Sequence, residues 1–199
     1  MRREKMIRNA LVPVVALLAS LVAGCGPDHR PNVILISLDT LRADHLGCYG
    51  YSRPTSPFLD GLADRGVIFD NAYVQFPGTL PSHMSIFTGL NPNEHGVLPP
   101  DGALAPEIPT LPEMLRTAGY RTAGFTEGGY VAGSFGFDRG FDRFDDVVPK
   151  LSNDMEVVFS RGLEFIRAQP SHRPFFVFLH TYAIHDPYLP SLPYTTLYL

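Results

Sequence analysis

The chain is 199 residues long, 45% hydrophobic and 12% aromatic, with no low-complexity run, so it can bury one substantial core and reads as a single globular domain or most of one. Sixteen Lys and Arg stand against twenty Asp and Glu, a net charge of −4. An acidic balance of this kind argues against nucleic acid as a partner.

The first eight residues, MRREKMIR, carry four basic groups and one acidic group, and an apolar stretch from Ala10 to Ala23 follows. That is the layout of a secretory signal peptide. A membrane span needs about 20 apolar residues. This stretch is shorter and holds Pro13, which makes a permanent span the weaker reading. Leu21-Val22-Ala23-Gly24-Cys25 resembles a bacterial lipobox, in which cleavage before the cysteine leaves it to carry a lipid. Residues 1–24 are therefore expected to be a lipoprotein signal peptide, Cys25 a lipidation site, and residues 25–31 a polar tether to the membrane. The alternative is an ordinary signal peptide with an incidental cysteine. Without its first 24 residues the chain keeps twelve basic and nineteen acidic residues, a net charge of −7. With Cys25 lipidated, Cys48 has no partner for a disulfide, and stability must come from core burial. The expected location is exported, anchored on the periplasmic or cell-surface side of a membrane.

The folded domain is expected over residues 32–199. Asn32 to Leu38 (NVILISL) is a near-continuous apolar run, the pattern of a strand buried on both faces of a parallel sheet. Ser56-Pro57 opens a helix with an apolar face of Phe58, Leu59, Leu62 and Ala63, closed by Gly66. Val67 to Val74 reads as a second strand, and Pro81 to Thr88 as a short helix ended by Gly89. Thr110-Leu111-Pro112-Glu113 is a capping box for a helix to Ala118, and a strand from Tyr120 to Phe125 follows. Asn153 to Gln169 places Val157, Phe159, Leu163 and Ile166 at helical spacing, and Pro174 to Leu179 (PFFVFL) reads as a last buried strand. Strands alternating with helices imply an α/β fold, a mostly parallel central sheet flanked by helices. Chemistry in such sheets gathers beyond the carboxyl ends of the strands. Asp39 and the stretch from His180 to His185 both lie there.

A carboxylate directly after a buried strand, as at Asp39, must be solvated, used as a cap or paired with a cation. A hard metal ion is one solution, and capping of a loop or helix is the other. Thr79 puts a hydroxyl at the mouth of a helix, where free amides and the helix dipole favour an anionic ester. A plain capping role for Thr79 is the alternative.

Taken in order, Asn32-Val33-Ile34-Leu35-Ile36-Ser37-Leu38-Asp39-Thr40-Leu41-Arg42-Ala43-Asp44, Leu46-Gly47-Cys48-Tyr49-Gly50-Tyr51, Thr79-Leu80-Pro81-Ser82-His83, Thr88-Gly89-Leu90-Asn91-Pro92 and His95-Gly96-Val97 closely resemble the sulfatase family. That family belongs to the alkaline-phosphatase-like superfamily. Gly119-Tyr120-Arg121-Thr122-Ala123, Arg139-Gly140-Phe141-Asp142, His180-Thr181-Tyr182 and His185-Asp186-Pro187-Tyr188 agree with it.

The resemblance implies a metal-dependent hydrolase of sulfuric esters, with a divalent cation that is usually calcium and alternatively zinc or manganese. In the family the first strand delivers carboxylates to this cation. Asp39 matches the first of them, and Thr40 occupies the position of the second. The family's nucleophile motif opens with a serine or cysteine that is oxidised to formylglycine and continues x-Pro-x-Arg. Thr79 stands at its first position and His83 at its arginine. Threonine cannot become formylglycine, so the chemistry implied is direct attack by the Thr79 hydroxyl, with the metal lowering its pKa. Threonine nucleophiles occur in the phosphoethanolamine transferases of the wider superfamily. The family's substrate-holding Lys and His pair is absent near residues 126–130, where Tyr130 is the replacement donor to substrate.

The roles implied are thus Thr79 as nucleophile and metal ligand, Asp39 and Thr40 as further ligands, and His83 as anion stabiliser. His185 is the proton donor at the leaving group, and His180 orients it or lines the pocket. His95 reads as structural. The expected substrate is a small-molecule or glycan sulfate or phosphate ester. A phosphodiester or phosphonate ester hydrolase, or a phosphotransferase using Thr79, is one alternative; a non-catalytic lipoprotein that binds anions or partners is another. The family's remaining metal ligands lie beyond the segment that ends at Leu199, so the chain is expected to be an amino-terminal part, inactive alone.

Overall fold

A computed structural model of the chain describes residues 30–100, 102–146, 154–188, 190, 192 and 194–197. The expected signal peptide and Cys25 lie outside these residues. Among the described residues four strands, β1 (Val33–Leu38), β2 (Arg121–Phe125), β3 (Arg143–Asp145) and β4 (Phe175–Thr181), form one sheet in the order β1-β4-β2-β3. Every neighbouring pair is parallel, as the alternation of strands and helices implies. Five α-helices join them: α1 (Pro57–Ala63), α2 (Thr79–Thr88), α3 (Pro92–His95), α4 (Leu111–Thr117) and α5 (Asp154–Arg167).

Each helix start has a local cause. The box at α4 closes as the sequence predicts, with the Thr110 N–H donating to Glu113 Oε2 at 2.8 Å. Arg139 then grips the same carboxylate at 3.1 Å while donating to the carbonyls of Ala105, Pro106 and Ile108. Helix α2 begins after extended Gly78 and takes Pro81 in its first turn, where the missing N–H costs nothing. It stops at Gly89, whose φ of +72° suits a residue without Cβ.

The core lies on both sides of the sheet. On one face Phe176 and Phe178 of β4 pack with Leu80, Met84 and Phe87 of α2 and with Val97, Phe137 and Phe141. On the other, Val177 and Leu179 of β4 and Ala123 and Phe125 of β2 pack under Val158 and Phe165 of α5. Gly162 lets α5 sit close, because a Cβ there would lie 2.6 Å from a Leu179 methyl. All seven residues of β4 are buried.

Two expectations fail. The doubly buried strand is β4 and not β1: α5 covers β4 and β2, so Ile34 and Ile36, on that same face, stay 50% and 49% exposed at the sheet edge. Residues Val67–Val74 form no strand. A strand's backbone groups need a neighbouring ladder, and none of the described strands lies beside this segment. Its Val67, Phe69, Tyr73 and Val74 are exposed, and the Phe69 carbonyl accepts instead from the Tyr49 hydroxyl at 3.0 Å.

Phe87 is the hub of the α2 face, edge-on to Phe137 at 5.2 Å and to Phe178 at 4.9 Å. Phe87→Ala is expected to cost about 3–5 kcal/mol by transfer and cavity terms together, read as a lowered denaturant midpoint.

Candidate functional site

The parallel register of β1 and β4 sets Ser37 beside His180 and Leu38 beside Thr181, so both strands end at one level. The Asp39 N–H continues the ladder by one bond to the Thr181 carbonyl at 3.1 Å. Helix α2 points its amino end at the same place. There the Thr79 hydroxyl donates to Asp39 Oδ2 at 3.0 Å across forty residues of sequence. Thr79 is the first residue inside the helix and Gly78 is the cap, so its hydroxyl serves the carboxylate and not the helix end.

A cavity of about 500 Å³ opens over this pair, lined by Asp39, Thr40, Thr79, His83, Tyr130 and His185 together with Val74, Phe76, Ser82 and others. Of the residues singled out from sequence, those six are brought together. Thr40 holds a left-handed φ of +63°, uncommon for a β-branched residue. Its hydroxyl donates to the Ile184 carbonyl at 3.1 Å, which fastens the turn after β1 to the loop carrying His185. His185 Nδ1 donates to the Asp186 carbonyl at 2.7 Å, which leaves Nε2 as the nitrogen available to a substrate.

His83 reaches the cavity with both ring nitrogens bonded to the protein. Its Nδ1 donates to the Thr79 carbonyl at 2.8 Å, and its Nε2 meets the Ser37 hydroxyl at 2.7 Å. Burial pushes its pKa below the ordinary histidine value, against the opposing pull of the Thr79 carbonyl and Asp39.

His180 is fully buried beneath the cavity and does not line it, which leaves the orienting part of its expected role. Its ring stands edge-on to His83 at 5.0 Å and to Tyr182 at 4.5 Å, and Tyr182 in turn stands edge-on to His185 at 5.8 Å. Neither ring nitrogen has a hydrogen-bond partner among the described residues. Burial, with His83 second, holds its pKa down at about 3.

Sequence reasoning missed three residues that hold the lining in place from behind. Glu127 accepts from the Thr181 hydroxyl and from the Tyr182 N–H at 3.1 Å, tying the ends of β2 and β4 together. The Tyr182 hydroxyl accepts from the Tyr130 N–H at 3.2 Å and so sets Tyr130 at the cavity rim. Burial first, then the Asp39 charge, pushes the Tyr182 pKa up to about 12. Ser37 is the third. Placement at a strand's carboxyl end was the available signal for Glu127. His95 is structural, as expected: its Nδ1 accepts from the Val97 N–H at 3.0 Å and its Nε2 meets Ser85 at 3.2 Å.

Asp39 and Thr79 offer hard oxygens at one point, with Thr40 in the same cavity but its hydroxyl on the Ile184 carbonyl, which suits one side of a hard-cation shell. They are not a whole shell: the described residues contain no group of three His, Cys, Asp or Glu side chains able to hold a metal.

The sulfatase family model matches residues 31–198. The chain belongs to the sulfatase family. An N-acetylglucosamine-6-O-sulfatase of Bacteroides thetaiotaomicron is 25% identical over 201 residues, covering 91% of this chain and 36% of that protein. Arylsulfatase A of Homo sapiens is 37% identical over 113 residues, covering 53% of this chain and 22% of that one. The phosphonate monoester hydrolase of Agrobacterium radiobacter shares the fold, with a TM-score of 0.68 at 21% identity over 83% of this chain and 43% of that chain. This sulfatase chain thus spans less than half the length of these relatives. The family is one of sulfuric ester hydrolases that generally use a divalent metal.

His180 binds its proton more readily in the unfolded chain, so its stabilising contribution is present above about pH 6.5 and is lost as pH falls toward 3, with a slope of up to about 1.4 kcal/mol per pH unit in that window. His83 acts in the same direction. Denaturant midpoints taken between pH 7 and 5 are expected to fall, and His180→Phe to flatten the slope.

Proposed function

We propose that the protein hydrolyses sulfuric esters and that Thr79 is its nucleophile. The observation carrying this is the Thr79 hydroxyl, 3.0 Å from Asp39 Oδ2 at the mouth of α2 and facing the cavity. Asp39 Oδ2 is placed to receive the hydroxyl proton as Thr79 Oγ1 attacks the sulfur. The amino end of α2 favours the negative charge of the ester oxygens. As the bond from sulfur to the leaving oxygen breaks, that oxygen takes a proton from His185, and water that gives its own proton to His185 then attacks the sulfur of the sulfated Thr79, releasing Oγ1 to take back the proton held by Asp39. Tyr130 at the rim is the candidate hydrogen-bond donor to substrate.

A divalent cation, calcium by preference over zinc or manganese, is proposed to sit against Asp39, Thr79 and Thr40. It would supply Lewis acidity at the nucleophile and ester oxygens. Its further ligands are proposed to come from outside the described residues. The substrate proposed is a sulfated glycan or small molecule, in line with relatives named as an N-acetylglucosamine-6-O-sulfatase and an arylsulfatase. Export as a lipoprotein anchored through Cys25, with residues 1–24 as signal and 25–31 as tether, is part of the same reading.

A second reading is favoured by one residue. Thr79 cannot form the aldehyde hydrate of formylglycine sulfatases, and a direct hydroxyl nucleophile serves phosphodiester or phosphonate esters equally.

In the full-length protein that contains this chain, with added calcium, aryl sulfate turnover is expected to vanish in Thr79→Ala and survive in Thr79→Ser; undiminished turnover by Thr79→Ala removes the nucleophile assignment. Chelation should abolish turnover and calcium restore it. Aryl phosphate diester and phosphonate ester compared beside the sulfate decide between the two readings. His185→Ala should lower kcat by about 10²–10⁴-fold, most for the poorest leaving groups.

A further inference from the structure

Two rungs join the end of β1 to the start of α2. Ser37 and Asp39 stand two residues apart at the end of the strand, and Thr79 and His83 stand one turn apart on the helix. Asp39 meets Thr79 at 3.0 Å, and Ser37 meets His83 at 2.7 Å. The second rung has a defined polarity. The Thr79 carbonyl can only accept, so His83 Nδ1 carries the hydrogen, and in the neutral ring Nε2 accepts from the Ser37 hydroxyl. His180, the register neighbour of Ser37, stands edge-on against the His83 ring and limits how it can turn.

We propose that Ser37 and His83 are positioning residues for Thr79, with the Ser37–His83 bond fixing the rotation of the first turn of α2 so that Thr79 Oγ1 faces Asp39 and the cavity. The proposal rests on Thr79 being the nucleophile. Without the second rung the helix start is held to β1 at the reacting hydroxyl alone, and any turn of α2 carries Oγ1 away from its line of attack. A misplacement of about 1 Å costs on the order of 10²-fold in rate.

Two amide replacements separate the two bonds of His83. Asparagine places its amide nitrogen where Nδ1 stands and keeps the bond to the Thr79 carbonyl; glutamine reaches the position of Nε2 and keeps the bond to Ser37. In the full-length protein that contains this chain, with calcium and an aryl sulfate, Ser37→Ala and His83→Asn are expected to lower kcat on the order of 10²-fold with KM little changed. His83→Gln should retain most of kcat, and the double variant Ser37→Ala/His83→Gln should fall to the level of Ser37→Ala. Wild-type kcat in Ser37→Ala, or equal losses in the asparagine and glutamine variants, overturns the proposal; so do losses that merely follow the melting temperature.

Thr79→Ala in the same series keeps the two ideas apart. If it stays active, the nucleophile reading falls; if it is dead while Ser37→Ala is unimpaired, only the positioning role falls. Nitrogen-15 NMR of His83 reads the geometry without turnover. A proton on Nδ1 and an Nε2 shift that moves on Ser37→Ala are expected, and a proton on Nε2 overturns the arrangement.

Discussion

The parallel pairing of β1 with β4 is the constraint on which the site hangs, because it brings two segments more than 140 residues apart to end side by side. Asp39, Thr40 and the loop from Tyr182 to His185 all leave the sheet at this seam, and three bonds fasten it: Asp39 to Thr181, Thr40 to Ile184, and Glu127 to the start of the loop. A slip of one residue would send Asp39 and Ser37 to the α5 face and leave α2 without either partner. The register is held by burial. Phe176 and Phe178 must face α2 while Val177 and Leu179 face α5, and no other alignment puts both sets in a core.

What lies beneath the cavity is unlike what lines it. The lining mixes polar and apolar side chains and is partly open, whereas behind it His83, at the cavity floor, His180 and Tyr182 stack ring against ring with pKa values all displaced toward the neutral form. Burial disfavours charge on each of them. The stacking also explains why the buried imidazole of His180 is tolerated without a partner nitrogen by nitrogen: its faces and edges pack on aromatic rings instead.

Much of this was legible from residue order. The apolar runs at Asn32–Leu38 and Pro174–Leu179, the capping box at Thr110 and the glycine stops marked strands and helices whose ends the structure moves by a residue or two. The motif order brought Asp39, Thr79, Tyr130 and His185 to one place. The exposed face of β1 was not legible, because hydrophobicity reports what a strand can bury and not how far a neighbouring helix reaches. Val67–Val74 failed for the same kind of reason: β-favouring residues make a strand only where a ladder exists. Ser37 carried no signal of its own and Glu127 only its place at a strand's carboxyl end, since a hydroxyl or carboxylate acquires its meaning from a partner 46 or 54 residues away.

Threonine at position 79 asks more of its surroundings than a formylglycine would. An aldehyde hydrate brings two hydroxyls on one carbon, so that one can attack while the other later expels the product. A lone aliphatic hydroxyl has to be oriented before it is activated, since its lone pair must point at the ester while its proton points at Asp39. The β-branch helps by restricting χ1, but it fixes the hydroxyl relative to the helix and not relative to the sheet. Relating helix to sheet is what the bond from Ser37 to His83 does. On the proposal that Thr79 is the nucleophile, a hydroxyl fixed in this way is indifferent to whether the central atom it attacks is sulfur or phosphorus, which places the choice of ester with the groups around the cavity and not with Thr79 itself.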